Sequence, residues 1–264
     1  MKYCVSGRQP KSILSQADEI KLNFIDNARL IDYVHDYPEK TVILNIPKDV
    51  KAEEINWEIY KEYSNLIMCI ADLGLAGVCN LYGIPFYWSY PAFTWYDLRG
   101  LIDLGPCYIM LAAPLSFSLE KIKRITDIPL RICPNLAYDA YIPHENGIYG
   151  TWVRPEDISI YDEYIDTFEF VGVELSQEAT LLHVYKDNGN WPGNLNILFK
   201  NFDIDVDNRA IPEEIGQFRA NCGQRCMETS NCHFCETAMK FSNALRKKHY
   251  QDNKITPMET SEEN

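Results

Sequence analysis

The sequence predicts an α/β protein, a distorted (β/α)8 barrel of the TIM type carrying a small C-terminal cysteine-rich metal-binding appendage. Three observations predict it. Short apolar runs alternate with segments of helical spacing from the first residue to about residue 185, the sequence form of a parallel sheet with crossover helices. There are eight such runs, and they read as apolar on both faces, which favours closure into a barrel over an open sheet. Four cysteines crowd into fourteen residues after this rhythm has ended.

The expected strands are YCVS (3–6), EIKLNF (19–24), VILNI (42–46), LIMCIA (66–71), PFYWS (85–89), YIMLAA (108–113), LRIC (130–133) and FEFVGV (168–173). Between them, Ala28, Leu30, Ile31 and Val34 repeat at helical spacing before the third run, as do Leu98, Leu101 and Ile102 before the sixth. The helices after the third, fourth and fifth strands look short, hence the distortion. Residues 148–157, which include TWVRPED, interrupt the rhythm and read as a loop or short strand over one mouth of the barrel. DNGNWPGN (187–194) is a turn-rich break and FDIDVDN (202–208) is acidic and irregular, so a new unit begins there. The organisation is a barrel over residues 1–200, a cysteine-rich appendage with a terminal helix over 201–250, and a polar tail, 251–264, expected to be disordered. The terminal helix is expected from Cys232 to His249. Phe234, Ala238, Phe241 and Leu245 share one face of it, and Arg246 to His249 lie at the negative end of its dipole.

At 264 residues and 46% hydrophobic content, one barrel-sized core accounts for the chain. No apolar run reaches the ~18 residues of a membrane span, and MKYCVSGRQP lacks a signal peptide's apolar stretch, so a cytoplasmic location with no membrane partner is expected. A formal charge of −13 repels phosphate backbones and weighs against a nucleic-acid partner. RKKH (246–249) is too short to reverse that, and the aromatic stretch at 82–96 reads as core and rim packing before base stacking.

Cys222, Cys226, Cys232 and Cys235 form a C-x3-C-x5-C-x2-C pattern. Two thiol pairs this close are an oxidation liability unless ligated, and a helix N-terminus at the second pair favours thiolate charge. Zinc takes four thiolates in a tetrahedron and would staple the appendage; a [4Fe–4S] cubane also takes four cysteines. Thiolate softness admits both. His233 points away from its cysteine neighbours on a helix and is left out of the ligand set. The spacing is not the C-x3-C-x2-C of radical enzymes that use S-adenosylmethionine.

Active sites of such barrels lie at the C-terminal ends of the strands. Those ends supply Ser6, Asn45, Asp72, Ser89, Tyr90, Asn135 and Glu174, with Trp88, Tyr138, Trp152 and Arg154 at the rim. Asp72, Glu174, Ser89 and Asn135 are the candidate catalytic set. Two carboxylates held at different pKa values do acid–base work; the alternative is that each caps a helix or binds a backbone amide.

The order of motifs resembles peptidase family U32, the collagenase-like peptidases, over most of the chain up to residue 185. ADLG (71–74) is similar to that family's strand-end Asp-x-Gly step, with Ser89 where the family carries Ser or Thr. LIDLGPCYIMLAAPLSFSLEKIKRI (101–125) follows its helix, Leu-Gly, strand and Ser-Leu-x-x-Ile sequence. WVRPEDISI (152–160) resembles its Pro-x-Asp-Leu segment through Pro155 and Asp157, and FEFVGVEL (168–175) its Lys-x-Glu-Gly-Arg strand, of which Glu174 is kept. Gly172 and Ser176 stand where the family has Lys and Arg, and Pro114 where it has Glu. The family's cysteine insert after the seventh strand is reduced to Cys133 and NLAYDAYIPHENG, so its ligand set does not map onto the later cluster.

The resemblance implies an iron–sulfur protein supporting oxygen-independent hydroxylation or a related modification of a nucleic-acid base or small molecule. The substrate, a small molecule or RNA, would lie at the barrel mouth, and the [4Fe–4S] cluster would pass electrons. The lost Lys, Arg and Glu favour a second expectation, a non-catalytic barrel stapled by zinc that binds a protein partner. Proteolysis is a third, carried by the family's name, but His35, His144, His183 and His249 are scattered and none sits at a strand end to activate a nucleophile.

Overall fold

The computed structural model describes residues 1–112, 118–135, 153–171, 174–187, 189–198 and 208–210. The cysteine cluster, the terminal helix expected at 232–249 and the tail lie outside the described residues. Eight parallel strands are present, one on each expected run: β1 Lys2–Ser6, β2 Glu19–Asn23, β3 Thr41–Asn45, β4 Leu66–Ile70, β5 Phe86–Trp88, β6 Ile109–Leu111, β7 Leu130–Ile132 and β8 Thr167–Glu169. They are hydrogen-bonded in the order β5-β4-β3-β2-β1-β8-β7-β6. Parallel bridges from Tyr87 to Tyr108 and from Ala92 to Leu111 join the two ends of this order and close a (β/α)8 barrel.

The connecting helices among the described residues are α1 Lys11–Leu14, α2 Leu30–Asp36, α3 Trp57–Tyr60, α4 Leu73–Tyr82, α5 Trp95–Leu104, α6 Leu119–Lys123, α7 Ile158–Tyr161 and α8 Leu175–Lys186. The expected shortening holds after β3, where a 3-10 turn at Ala52–Glu54 and the four residues of α3 make the crossover. It fails after β4 and β5, because α4 and α5 each run ten residues. Their ends explain the length. Asp72 caps the first turn of α4 by accepting from the Leu75 N–H, and Thr94 and Asp97 form a reciprocal capping box on α5. Both helices end on glycines in the left-handed region, Gly83 at φ 68° and Gly105 at φ 71°, where a Cβ would be strained.

Alternation along each strand separates two buried groups. Tyr3, Val5, Ile20, Leu22, Val42, Leu44, Leu66, Met68, Phe86, Leu130, Ile132 and Phe168 point outward and share one core with the helices. Cys4, Ile43, Cys69, Tyr87, Tyr108, Met110 and Cys133 pack together inside the barrel. The expectation that the strands are apolar on both faces is corrected here, because Glu19, Arg131, Thr167 and Glu169, all fully buried, occupy alternate positions on β2, β7 and β8. The expected loop or strand at 148–157 is, in its described part, a turn. The Val153 N–H bonds the Pro134 carbonyl just past β7, and residues 155–157 form a 3-10 turn.

Candidate active site at the barrel mouth

The lumen is held by a charged network that begins in strand alternation. On β2, E-I-K-L-N turns Ile20 and Leu22 outward and Glu19 and Lys21 inward. Arg131 on β7 and Glu169 on β8 follow the same rule. Cys4 on β1 pairs in register with Glu19 on one side and Glu169 on the other, so the two carboxylates flank one strand at one level. Arg131 joins them: one terminal nitrogen lies 2.7 Å from Glu19 Oε2 and 3.2 Å from Glu169 Oε2. Lys21 Nζ lies 2.5 Å from Glu169 Oε1. The Tyr87 hydroxyl donates to Glu169 Oε2 at 3.1 Å and the Thr167 hydroxyl to Glu19 Oε1 at 3.3 Å. The guanidinium carbon sits 4.6 Å from the Tyr87 ring centre and 4.9 Å from that of Tyr108, a cation–π contact shielded from water.

Glu19, Arg131 and Glu169 are sealed, but the Lys21 side chain keeps 21% of its surface exposed. Lys21 pairs with Ser6, the last residue of β1, so this partly exposed side chain lies toward the C-terminal end of the lumen and forms the floor of the mouth. Burial alone would raise the Glu169 carboxyl; the charges of Lys21 and then Arg131 outweigh it and hold it below the ordinary carboxylate range. Burial likewise works against the Lys21 charge, and Glu169 outweighs it, holding the ammonium above its ordinary value. A lysine kept protonated is no Schiff-base nucleophile. Such a lysine is also a poor proton donor, and what it can offer an anionic or carbonyl oxygen is a fixed positive charge and a hydrogen bond. Cys4, Cys69 and Cys133 line the same lumen, and burial pushes all three thiols up, which keeps them protonated and poor nucleophiles.

A buried carboxyl, Glu178 on α8, borders the mouth between β1 and β8. It accepts the Ser6 N–H at 2.8 Å and the Gln9 amide at 2.5 Å, and burial raises it above its ordinary value despite both bonds. Gln9 also donates to the Leu175 carbonyl at 2.7 Å, tying the loop after β1 to the start of α8.

The residues expected at the strand ends divide by what they touch. Asp72 is exposed and its Oδ1 accepts the Leu75 N–H at 3.0 Å. Asn135 is buried, donates to the Val171 carbonyl at 2.9 Å and accepts the Val171 N–H at 3.2 Å, so its amide is consumed in bridging the ends of β7 and β8. Ser6 Oγ accepts the Arg8 N–H. Asn45 and Ser89 are half-buried at the ends of β3 and β5, Tyr90 is exposed, and Glu174 is exposed at the N-cap of α8. Trp88 packs against the outer core. Arg154, expected at the rim, is instead buried in a two-toothed ion pair with Asp157, at 2.6 and 2.8 Å. A guanidinium beside a carboxylate three residues away finds its partner locally and need not reach the mouth. Tyr138, Trp152, Cys222, Cys226, Cys232 and Cys235 lie outside the described residues. Lys21, Glu169, Arg131, Glu19 and Glu178 were not read from the sequence as site residues. The signal was present in E-I-K, L-R-I and T-F-E, whose charges alternate with apolar residues in chain segments already read as strands.

Among the described residues no group of three or more His, Cys, Asp or Glu side chains is placed to hold a metal ion, and no helix is long and apolar enough to cross a membrane. No family model and no curated protein matches the chain. Solved structures that resemble it include 3-keto-L-gulonate-6-phosphate decarboxylase from Vibrio cholerae, 13% identical, covering 75% of this chain and 99% of that one, TM-score 0.46. A native KDPGal structure is 9% identical and covers 70% of this chain and 92% of its own, TM-score 0.47. A designed cube-shaped protein cage made from fused symmetric oligomeric domains is 9% identical and covers 96% and 82%, TM-score 0.44. At these identities and scores the likeness says nothing of substrate or reaction.

Proposed function

We propose that the chain is a cytoplasmic iron–sulfur barrel enzyme that modifies a small molecule or an RNA base at the C-terminal mouth, by hydroxylation without molecular oxygen or a related reaction. The observation that carries the enzyme reading is the Lys21–Glu169 pair on the floor of the mouth. A barrel lumen is ordinarily filled with branched apolar side chains, and a buried ion network is a weak source of stability beside them. Charges kept there, with the Lys21 side chain partly exposed, fit a role in binding and charge stabilisation. Lys21 would take an oxygen of the substrate, Glu169 would hold Lys21 protonated and in place, and Glu174 and Ser89 stand at the rim to orient the rest. The reaction class comes from the U32 resemblance.

Four thiolates suit a cubane by donor chemistry, and Cys222, Cys226, Cys232 and Cys235 would hold it. It would supply single-electron transfer, carrying to an external acceptor the two electrons released when a hydroxylation takes its oxygen atom from water. The peptidase reading loses ground, since His35 packs edge-on against Tyr63 on an outer helix and His183 pairs with Asp187 in solvent. One observation favours a non-catalytic, zinc-stapled barrel: Asp72 and Asn135, at the mouth, are both spent on backbone groups. Metal analysis of protein purified without oxygen separates the two. About four irons per chain with broad visible absorption, both lost in a Cys222→Ala, Cys226→Ala double variant, supports the enzyme; one zinc and no colour supports the staple.

A further inference from the structure

A cavity lies between α1 and α2 and shares no lining residue with the Lys21–Glu169 pair. Its volume is about 460 Å³, within the range of small-molecule sites, and its lining includes Lys11 on α1 and Arg29, Asp32 and Asp36 along α2. Two cations and two carboxylates thus border one space. Among the described residues, none of the four lies within ion-pair distance of an opposite charge, so the cavity holds the two signs apart.

The placement of these charges does little for α2 itself. Arg29 is the N-cap, at the positive end of the helix dipole, and Asp36 is the last helical residue, at the negative end, so each stands at the end that opposes its sign. Asp32 suits its own place in the first turn but lies one turn before Asp36, where like charges repel. A local cost with no local partner points to a partner from outside. The uncharged walls are already fixed. Tyr33 is buried, its hydroxyl donates to the Gly7 carbonyl and accepts from Arg29 Nη2 at 3.1 Å, and the guanidinium carbon sits 5.1 Å from its ring centre. Tyr37 stacks on Tyr33 with ring centres 6.0 Å apart, and Gln9 is locked by the Leu175 carbonyl and Glu178. The bond to Tyr33 holds the Arg29 guanidinium in place and leaves its other N–H groups for a ligand.

We propose that this cavity binds a short zwitterion of the ω-amino acid class, its carboxylate held by Arg29 and Lys11 and its ammonium between Asp32 and Asp36. The helix sets the spacing, since Arg29 lies about 7 Å along the axis from the midpoint of the two aspartates at the usual rise per residue. The charges of an α-amino acid, one carbon apart, are too close to meet both groups. A chain of several methylenes spans the gap and lays its apolar stem against Tyr37. The site does not depend on the iron–sulfur reading and stands or falls apart from it.

Calorimetric titration of the full chain with 6-aminohexanoate is the test, with hexanoate and hexylamine as single-charge probes and glycine as the close-charge probe. 6-Aminohexanoate should bind roughly tenfold or more tightly than any of the three, because each control loses a charge-assisted contact. Arg29→Gln and Asp36→Asn should each weaken it by a similar factor, whereas Glu58→Gln with Lys61→Gln, which removes an exposed pair at α3, should leave it unchanged. Asp36→Asn should keep the thermal unfolding midpoint equal to the wild type's or raise it, since the lost carboxylate opposes the dipole. No saturable binding of 6-aminohexanoate, equal binding of hexylamine, hexanoate or glycine, or an equal loss in the α3 variant overturns the proposal. So does a lower midpoint in Asp36→Asn, because that carboxylate then serves the fold. The ligand series is read on the unaltered protein and does not depend on a variant's folding.

Discussion

Arg131 sets the energetics of the lumen because it neutralises two carboxylates that cannot reach water. Arg131→Met leaves Glu19 and Glu169 buried without their shared cation, and we predict a loss of about 3–5 kcal/mol in urea unfolding. Replacing Glu19, Arg131 and Glu169 together by apolar residues of similar volume should recover most of that loss while abolishing function, which separates stability from activity. The pH dependence has a definite sign. Folded Glu169 is held below its unfolded value, so its contribution is present above the ordinary carboxylate range and is lost as pH falls through the folded value. Glu178, held above its unfolded value, acts oppositely: its contribution is present at low pH and fades as pH rises through the folded value. Melting temperature followed into acid should therefore drop less steeply in Glu169→Gln, at lower overall stability, than in the wild type.

Helices and strands show why some mouth residues were legible and others were not. All eight strands were readable because each is a short apolar run between turn signals, and local composition decides that. Their inward charges were not, because a Lys or Glu alternating with Ile or Leu looks the same whether its face meets solvent or a barrel lumen. Only closure, which pairs β1 with β8 across the whole length of the barrel sequence, tells the two apart. Asp72 was found, but its spacing to Leu75 fits a helix cap as well as a catalytic acid. Asp72→Ala should cost about 1 kcal/mol of stability, with metal content unchanged. Asn135→Ala should cost about 1–3 kcal/mol, because the Val171 N–H and carbonyl lose their partner between β7 and β8. Chemical denaturation of both variants checks these values; a null effect for Asn135→Ala would show that the bridge is not structural.

For the whole molecule, the barrel is not equally strong around its circumference. β2 and β3 pair over five residues, whereas β5 and β6 meet only through isolated bridges. Local opening should start at that seam, and amides of residues 86–92 and 109–112 should exchange ahead of those in β2 and β3. The seam borders Tyr90 and Tyr96, both exposed at the mouth. Lys21 and the four thiols are proposed to serve one reaction. Its most direct test is mass spectrometry of small molecules and RNA nucleosides from oxygen-free cells expressing the wild type, Lys21→Met or Cys222→Ala. A product heavier by one oxygen atom is expected with the wild type and should be lost in both variants. The absence of any such product with the wild type, or its persistence in both variants, would contradict it.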